Sequence, residues 1–362
     1  MKKIIFKRKI WKRIGISVLA FLLVLGLAAT AFWLRFMYIP TPKEIVHFES
    51  LGVTLEGTLY YPDDQNGSYD AVIVLQGSGR ETRDAGPLLV QSKGFLKKGF
   101  AVLRYDKRGI GNSAGTFRNE NFEKLVADTH AAIDYLKSKA KIRTIGLATT
   151  SESVLFAPQI ASERNDISFI YNTVGSVVSF DRLAVYQMGH IMRKWHKDSD
   201  AEEIIRLYQD VLTLYIKSDG NPDYFNNAKD ELNNRMAAAT AKYGGPTLPF
   251  MSGVGTYNEA YVHRRGYSSA YDPQKYFEQS FKTPLFYAFA ELDINIPTDE
   301  SVVALDEIIS RNEHNVEYKV WPNVGHAFGK IYWAHYGIYP KGYLDEMGDW
   351  ALKMVNENNP GE

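Results

Sequence analysis

The period of apolar and polar positions changes repeatedly along this chain, and each change marks an element. Ile14–Leu34 is a run of 21 residues without a charge, the length of a helix that crosses a bilayer. Residues 46–48 and 53–61 alternate with a period of two and are split by Leu51-Gly52, which predicts an opening β-hairpin. Residues 71–75 are continuously apolar, as a strand covered on both faces must be. Residues 88–98 predict a helix and 101–105 the next strand. Phe122, Leu125, Val126, Ile133 and Leu136 then recur at helical spacing in a segment ending near Lys139. Residues 143–147 and 167–171 predict further strands, with a helix from about Ser151 to Ala161 between them. This rhythm predicts an α/β fold with a mostly parallel, doubly wound sheet.

The rhythm stops after Phe180. Residues 181–270 carry polar helical stretches at 201–217 and 224–239, scattered tyrosines, and a turn-rich loop from Gly244 to Gly255. Alternation returns with a strand at 285–289, a helix over 299–310, a strand at 316–320 and a closing helix near 343–355. The expected organisation is a basic tail and membrane anchor (1–37), a core in two parts (45–180 and 271–358), and a helical cap (181–270) over the active site.

Composition refines this picture at the N-terminus. The 362 residues suit one α/β domain with a large insertion, and their formal net charge is zero. That balance hides an asymmetry: eight of the 42 basic residues lie in residues 1–35, which hold no acid, leaving 34 basic against 42 acidic in the rest. An acidic body excludes nucleic acid as the expected partner. The basic flank before Ile14 predicts a single-pass membrane helix with its N-terminus in the cytoplasm and the body outside. Ala29-Thr30-Ala31 supports the alternative, a cleaved signal peptide and a secreted or periplasmic body. There is no cysteine, so stability rests on packing alone.

Three segments carry candidate chemistry, in the order nucleophile, acid, base. Thr149-Thr150-Ser151-Glu152-Ser153 follows a short strand, and a serine raised on a strand-to-helix turn can attack a carbonyl. Asp293 follows the strand at 285–289, and His326 follows the strand at 316–320 and a Gly325 turn. An acid that orients a histidine, and a histidine that takes a serine proton, complete an acyl-transfer set. Ser153 is the fallback nucleophile. Gln76-Gly77-Ser78-Gly79 ends the strand at 71–75, where the amide of Ser78 can supply one oxyanion donor and that of Glu152 the other. Neither a metal-binding spacing nor a dinucleotide glycine pattern is present in the sequence, so the expected cofactor is none.

These segments resemble the α/β-hydrolase superfamily, in its bacterial esterase and serine-aminopeptidase-like branch. Gln76–Gly79 is similar to the His-Gly-x-Gly turn of those enzymes, with glutamine for histidine. Tyr105-Asp106-Lys107-Arg108-Gly109-Ile110-Gly111-Asn112-Ser113 resembles their Asp-x-Arg-Gly-x-Gly-x-Ser signature, and residues 145–154 resemble their nucleophile elbow without its two glycines. The resemblance spans roughly residues 45–358 and implies an α/β-hydrolase fold. It also implies a serine hydrolase cleaving carboxylic esters through Ser151, Asp293 and His326. The alternatives are a peptidase acting on short peptides, and a hydrolase-fold protein that binds without catalysis.

Overall fold

The computed structural model describes residues 2–36, 38–62, 67–117, 121–244, 253–328 and 339–358; for 2–13, 35, 36 and 358 it describes the backbone only. Two units are distinct, Met1–Pro40 and Thr41–Glu362. The first is one helix, α1 (Lys2–Phe36), closed where the Tyr38 amide donates to the Trp33 carbonyl at 3.0 Å and the two rings stack. Its Ile14–Leu34 stretch is long and apolar enough to cross a bilayer, a property that signal sequences share.

The second unit is built on an eight-stranded sheet. Its strands are β1 (Lys43–Ser50), β2 (Val53–Tyr60), β3 (Tyr69–Val74), β4 (Ala101–Tyr105), β5 (Ile142–Thr150), β6 (Phe169–Thr173), β7 (Leu285–Ala290) and β8 (Val316–Trp321). They lie in the order β1-β2-β4-β3-β5-β6-β7-β8. β1 and β2 pair antiparallel, β2 and β4 antiparallel, and every later pair is parallel. The hairpin between β1 and β2 turns on Leu51 and Gly52, both at positive φ (48° and 74°), the geometry that matches strand twist in a two-residue loop.

Helices α2 (Gly86–Lys97), α3 (Phe122–Lys137), α4 (Glu152–Leu155) and α5 (Ala157–Glu163) separate the early strands. The single helix expected over 151–161 is instead two, broken at Phe156 (ψ 3°). Pro158, within the first two positions of α5, lacks the amide that would continue the helix. After β6 come α6 (Phe180–Trp195), α7 (Asp198–Ser218), α8 (Pro222–Tyr243) and α9 (Glu259–Ser269). These four share an apolar cluster of their own, including Met192, Ile204, Leu214, Phe225, Met236 and Val262. The loop after Gly244 falls largely outside the described residues. α10 (Thr298–Ser310) and α11 (Tyr343–Asn358) complete the sheet's cover.

The most specific sequence motif turns out to build the loop after β4. The Asp106 carboxylate accepts from the amides of Arg83 (2.7 Å) and Asn112 (3.1 Å) and pairs with the Arg83 guanidinium at 2.6 Å. Gly111, at φ 53°, passes so close that a Cβ would lie 2.2 Å from that carboxylate. Ser113 donates to the Asp106 carbonyl at 2.7 Å, and Arg108 grips Asp128. The side chains of Arg83, Asp106, Arg108, Ser113 and Asp128 are all buried, so the motif reads as architecture behind the site.

Candidate active site

β5 runs out at Thr150, and the chain reverses at Ser151 into α4. Ser151 holds φ 56° and ψ −108°, a sparse region for a residue with a side chain. Its amide is fixed by the Thr173 carbonyl of the neighbouring strand at 3.0 Å. The positions where glycine was expected carry no positive φ; they use their side chains. Thr149 Oγ1 donates to Asn172 Oδ1 at 2.6 Å, tying β5 to β6. Ser153 Oγ accepts from the Thr150 amide at 2.7 Å and donates to the Thr150 carbonyl at 3.1 Å, closing the turn. Ser153 is therefore occupied, and the close approaches fall on glycines elsewhere. A Cβ on Gly77 would sit 3.2 Å from Ser151 Cβ, and one on Gly175 would sit 2.0 Å from Val154 Cβ.

Asp293 and His326 come from adjacent loops. Beyond β7, the amides of Glu291 and Leu292 donate to the carbonyls of Trp321 (3.0 Å) and Val324 (2.8 Å), which locks the two loops together. Glu291 is not a spare acid: its carboxylate accepts from the Asn323 amide at 2.7 Å and shapes the histidine loop. Asp293 is buried, and its Oδ1 accepts from the amides of Asn295 (2.8 Å) and Ile296 (3.0 Å). His326 Nδ1 lies 2.9 Å from Asp293 Oδ2 and 3.1 Å from Oδ1. His326 Nε2 lies 3.1 Å from Ser151 Oγ. Three residues far apart in sequence thus form one hydrogen-bonded relay.

Ser78 and Glu152 flank this relay. Glu152 is the first residue of α4, where helix amides have no intrahelical acceptor. Ser78 is exposed in the turn that brings Gly77 against Ser151. Gln76, where the family turn has histidine, is buried and donates through Nε2 to the Tyr105 carbonyl, bridging the ends of β3 and β4. Sequence reasoning missed Lys107, whose ammonium stands 2.7 Å from Glu152 Oε2. It also missed Tyr186 and Gln187 of α6, which donate to the carbonyls of Asp293 (3.1 Å) and Asn295 (2.9 Å). Burial first, and then Asp293, push the Tyr186 phenol above its ordinary pKa, so it stays a neutral donor. A cleft of about 730 Å³ between α6, α7 and α10 includes Tyr186, Arg182, Arg193 and Glu300. Ser151 and His326 are not among the residues that line it. His47, His130 and His263 pair with Glu56, Glu163 and Asp219, while His335 lies outside the described residues.

A family model for X-Pro dipeptidyl-peptidase (S15 family) matches residues 51–275, well over half of the chain and including Ser78, Ser151 and Glu152. The chain belongs to that family. A model for the dienelactone hydrolase family matches residues 227–337, which hold Asp293 and His326. A search of the curated proteins finds no match. Among solved structures, the Pyrococcus furiosus esterase Pf2001 superposes with a TM-score of 0.56 at 18% identity, over 87% of this chain and 92% of that one. Est1E from Butyrivibrio proteoclasticus, solved with ferulic acid, gives 0.53 at 14% over 86% and 99%. The α/β hydrolase GrgF from Penicillium sp. sh18 gives 0.52 at 17% over 87% and 98%. At these identities the likeness is one of fold, and the fold is that of the α/β-hydrolase superfamily. This S15-family chain is accordingly a hydrolase of the esterase and serine-peptidase branch.

Proposed function

We propose that the chain is a serine peptidase of short peptides, working by acyl transfer to Ser151. The relay from Ser151 Oγ through His326 to Asp293, with its contacts of 3.1 and 2.9 Å, carries this reading. His326 Nε2 takes the hydroxyl proton as Oγ attacks the substrate carbonyl. Asp293 holds the Nδ1–H tautomer and offsets the charge the ring acquires. The carbonyl oxygen, now negative, is held by the amides of Glu152 and Ser78. His326 returns the proton to the leaving amine, and water repeats the sequence on the acyl-enzyme to release the acid. Every step uses this chain's own side chains and amides.

Membership of the S15 family favours peptides. Ester hydrolysis is the second reading, supported by the dienelactone hydrolase match over the acid and base and by the esterase folds. A protein that only binds would have no use for a serine held at φ 56°, which costs roughly 1–3 kcal/mol. In the same reading residues 181–270 act as a cap that selects substrate, supported by the hold of Tyr186 and Gln187 on the acid loop. α1 serves as an N-in anchor with the body outside the membrane, or as a cleaved leader.

A panel of aminoacyl- and dipeptidyl-anilides beside p-nitrophenyl esters, run on the full chain, tests the proposal. Anilide turnover that disappears in Ser151→Ala is expected. Ester turnover alone transfers the function to the second reading, and no turnover of either class overturns both.

A further inference from the structure

One buried side chain of the loop after β4 reaches toward the turn at Ser151. Asp106, Arg108, Gly111 and Ser113 each hold the loop together, whereas the buried Lys107 reaches out of it to Glu152. The Lys107 side chain is 4% exposed and its partner 23%, so the pair lies at the boundary between the interior and the site. Glu152 is the residue directly after Ser151. Its carboxylate therefore lies one residue from the place where a carbonyl oxygen becomes negative during attack.

We infer that Lys107 is a positioning residue of the acyl-transfer site, acting through Glu152 to cancel a negative charge beside the oxyanion; the inference rests on the reading of Ser151 given above. A bare carboxylate at this position repels the developing oxyanion. At a separation of about 7 Å and an effective dielectric of about 20, that repulsion slows attack on the order of 10- to 100-fold. A buried ammonium 2.7 Å away removes it. A second use of the pair would be purely mechanical, pinning the β4 loop to the elbow. The two differ in how the residues depend on each other. A mechanical tie loses the same amount whichever end is cut, and cutting the second end restores nothing. A charge shield matters only while Glu152 is charged.

The test is a double-mutant cycle on the full chain with whichever acyl substrate the panel above identifies. It reads kcat, KM, the rate of fluorophosphonate labelling and the melting midpoint. K107M is expected to lower kcat and labelling on the order of 10- to 100-fold while KM moves less than about threefold. In a chain already carrying E152Q, adding K107M should change kcat by less than about threefold. That second comparison stands even if K107M alone does not fold, because both charges leave together. Adding E152Q to K107M should restore most of the lost kcat and labelling; a double variant no faster than K107M alone, or equal cost of K107M with and without E152Q, overturns the inference while the Ser151 reading survives. A wild-type chain that neither labels nor turns over overturns that reading, and this inference with it.

Discussion

Placing glycine at both Thr149 and Ser153 would recreate the family elbow, and the structure predicts that it harms the protein. Strain in this turn belongs to Ser151, at φ 56°, which the double substitution leaves untouched. What it removes are two side-chain bonds. Without Ser153 Oγ, the Thr150 amide loses its 2.7 Å acceptor; without Thr149 Oγ1, Asn172 Oδ1 loses its 2.6 Å donor. An unsatisfied buried polar group costs about 1–3 kcal/mol, and glycine within a strand adds about 0.5–1 kcal/mol. Because both sites share one turn the costs do not simply add, and a total of about 2–5 kcal/mol is expected. For a body of this size that lowers Tm by roughly 3–7 °C. A fluorescence melt of the full chain in detergent, with turnover measured on the same samples, checks it. An unchanged or higher Tm, or faster turnover in the glycine variant, would refute the claim that these side chains replace the glycines.

The remaining predictions concern the relay's surroundings and the anchor. Asp293→Asn should lower kcat on the order of 10⁴-fold with little change in KM, since the amide favours the wrong histidine tautomer; steady-state kinetics measures it. Gly77→Ala puts a methyl 3.2 Å from Ser151 Cβ and should slow labelling at least roughly tenfold, because small displacements at the attacking atom are expensive; an unaltered labelling rate would show that the turn lies elsewhere during catalysis. Protease added to intact spheroplasts should digest the body, and extraction should require detergent; full protection would reverse the orientation assigned to α1.

The sheet was legible in the sequence because its central strands are buried on both faces and leave unbroken apolar runs, as at 71–75. The hairpin was legible because Leu51-Gly52 interrupts a period of two. The break at Phe156 was not, although Pro158 signalled it, because a proline near a helix start is compatible with one helix or two. Ser151, Asp293 and His326 could be singled out as candidates because each follows a strand in the loop beyond its end. Lys107 and Tyr186 could not, since their partners are set by how a loop and α6 pack across the site. The elbow is the instructive case: the sequence lacks the two family glycines, and in the structure their replacements are hydrogen-bonded members of the turn.

The central claim is that Ser151 is the nucleophile of a working relay. Labelling the full chain with a fluorophosphonate, followed by peptide mapping, tests it most directly. The account predicts one adduct, on Ser151, that is lost in Ser151→Ala and slowed in His326→Ala. An adduct on Ser153, or none on a folded protein, would contradict it.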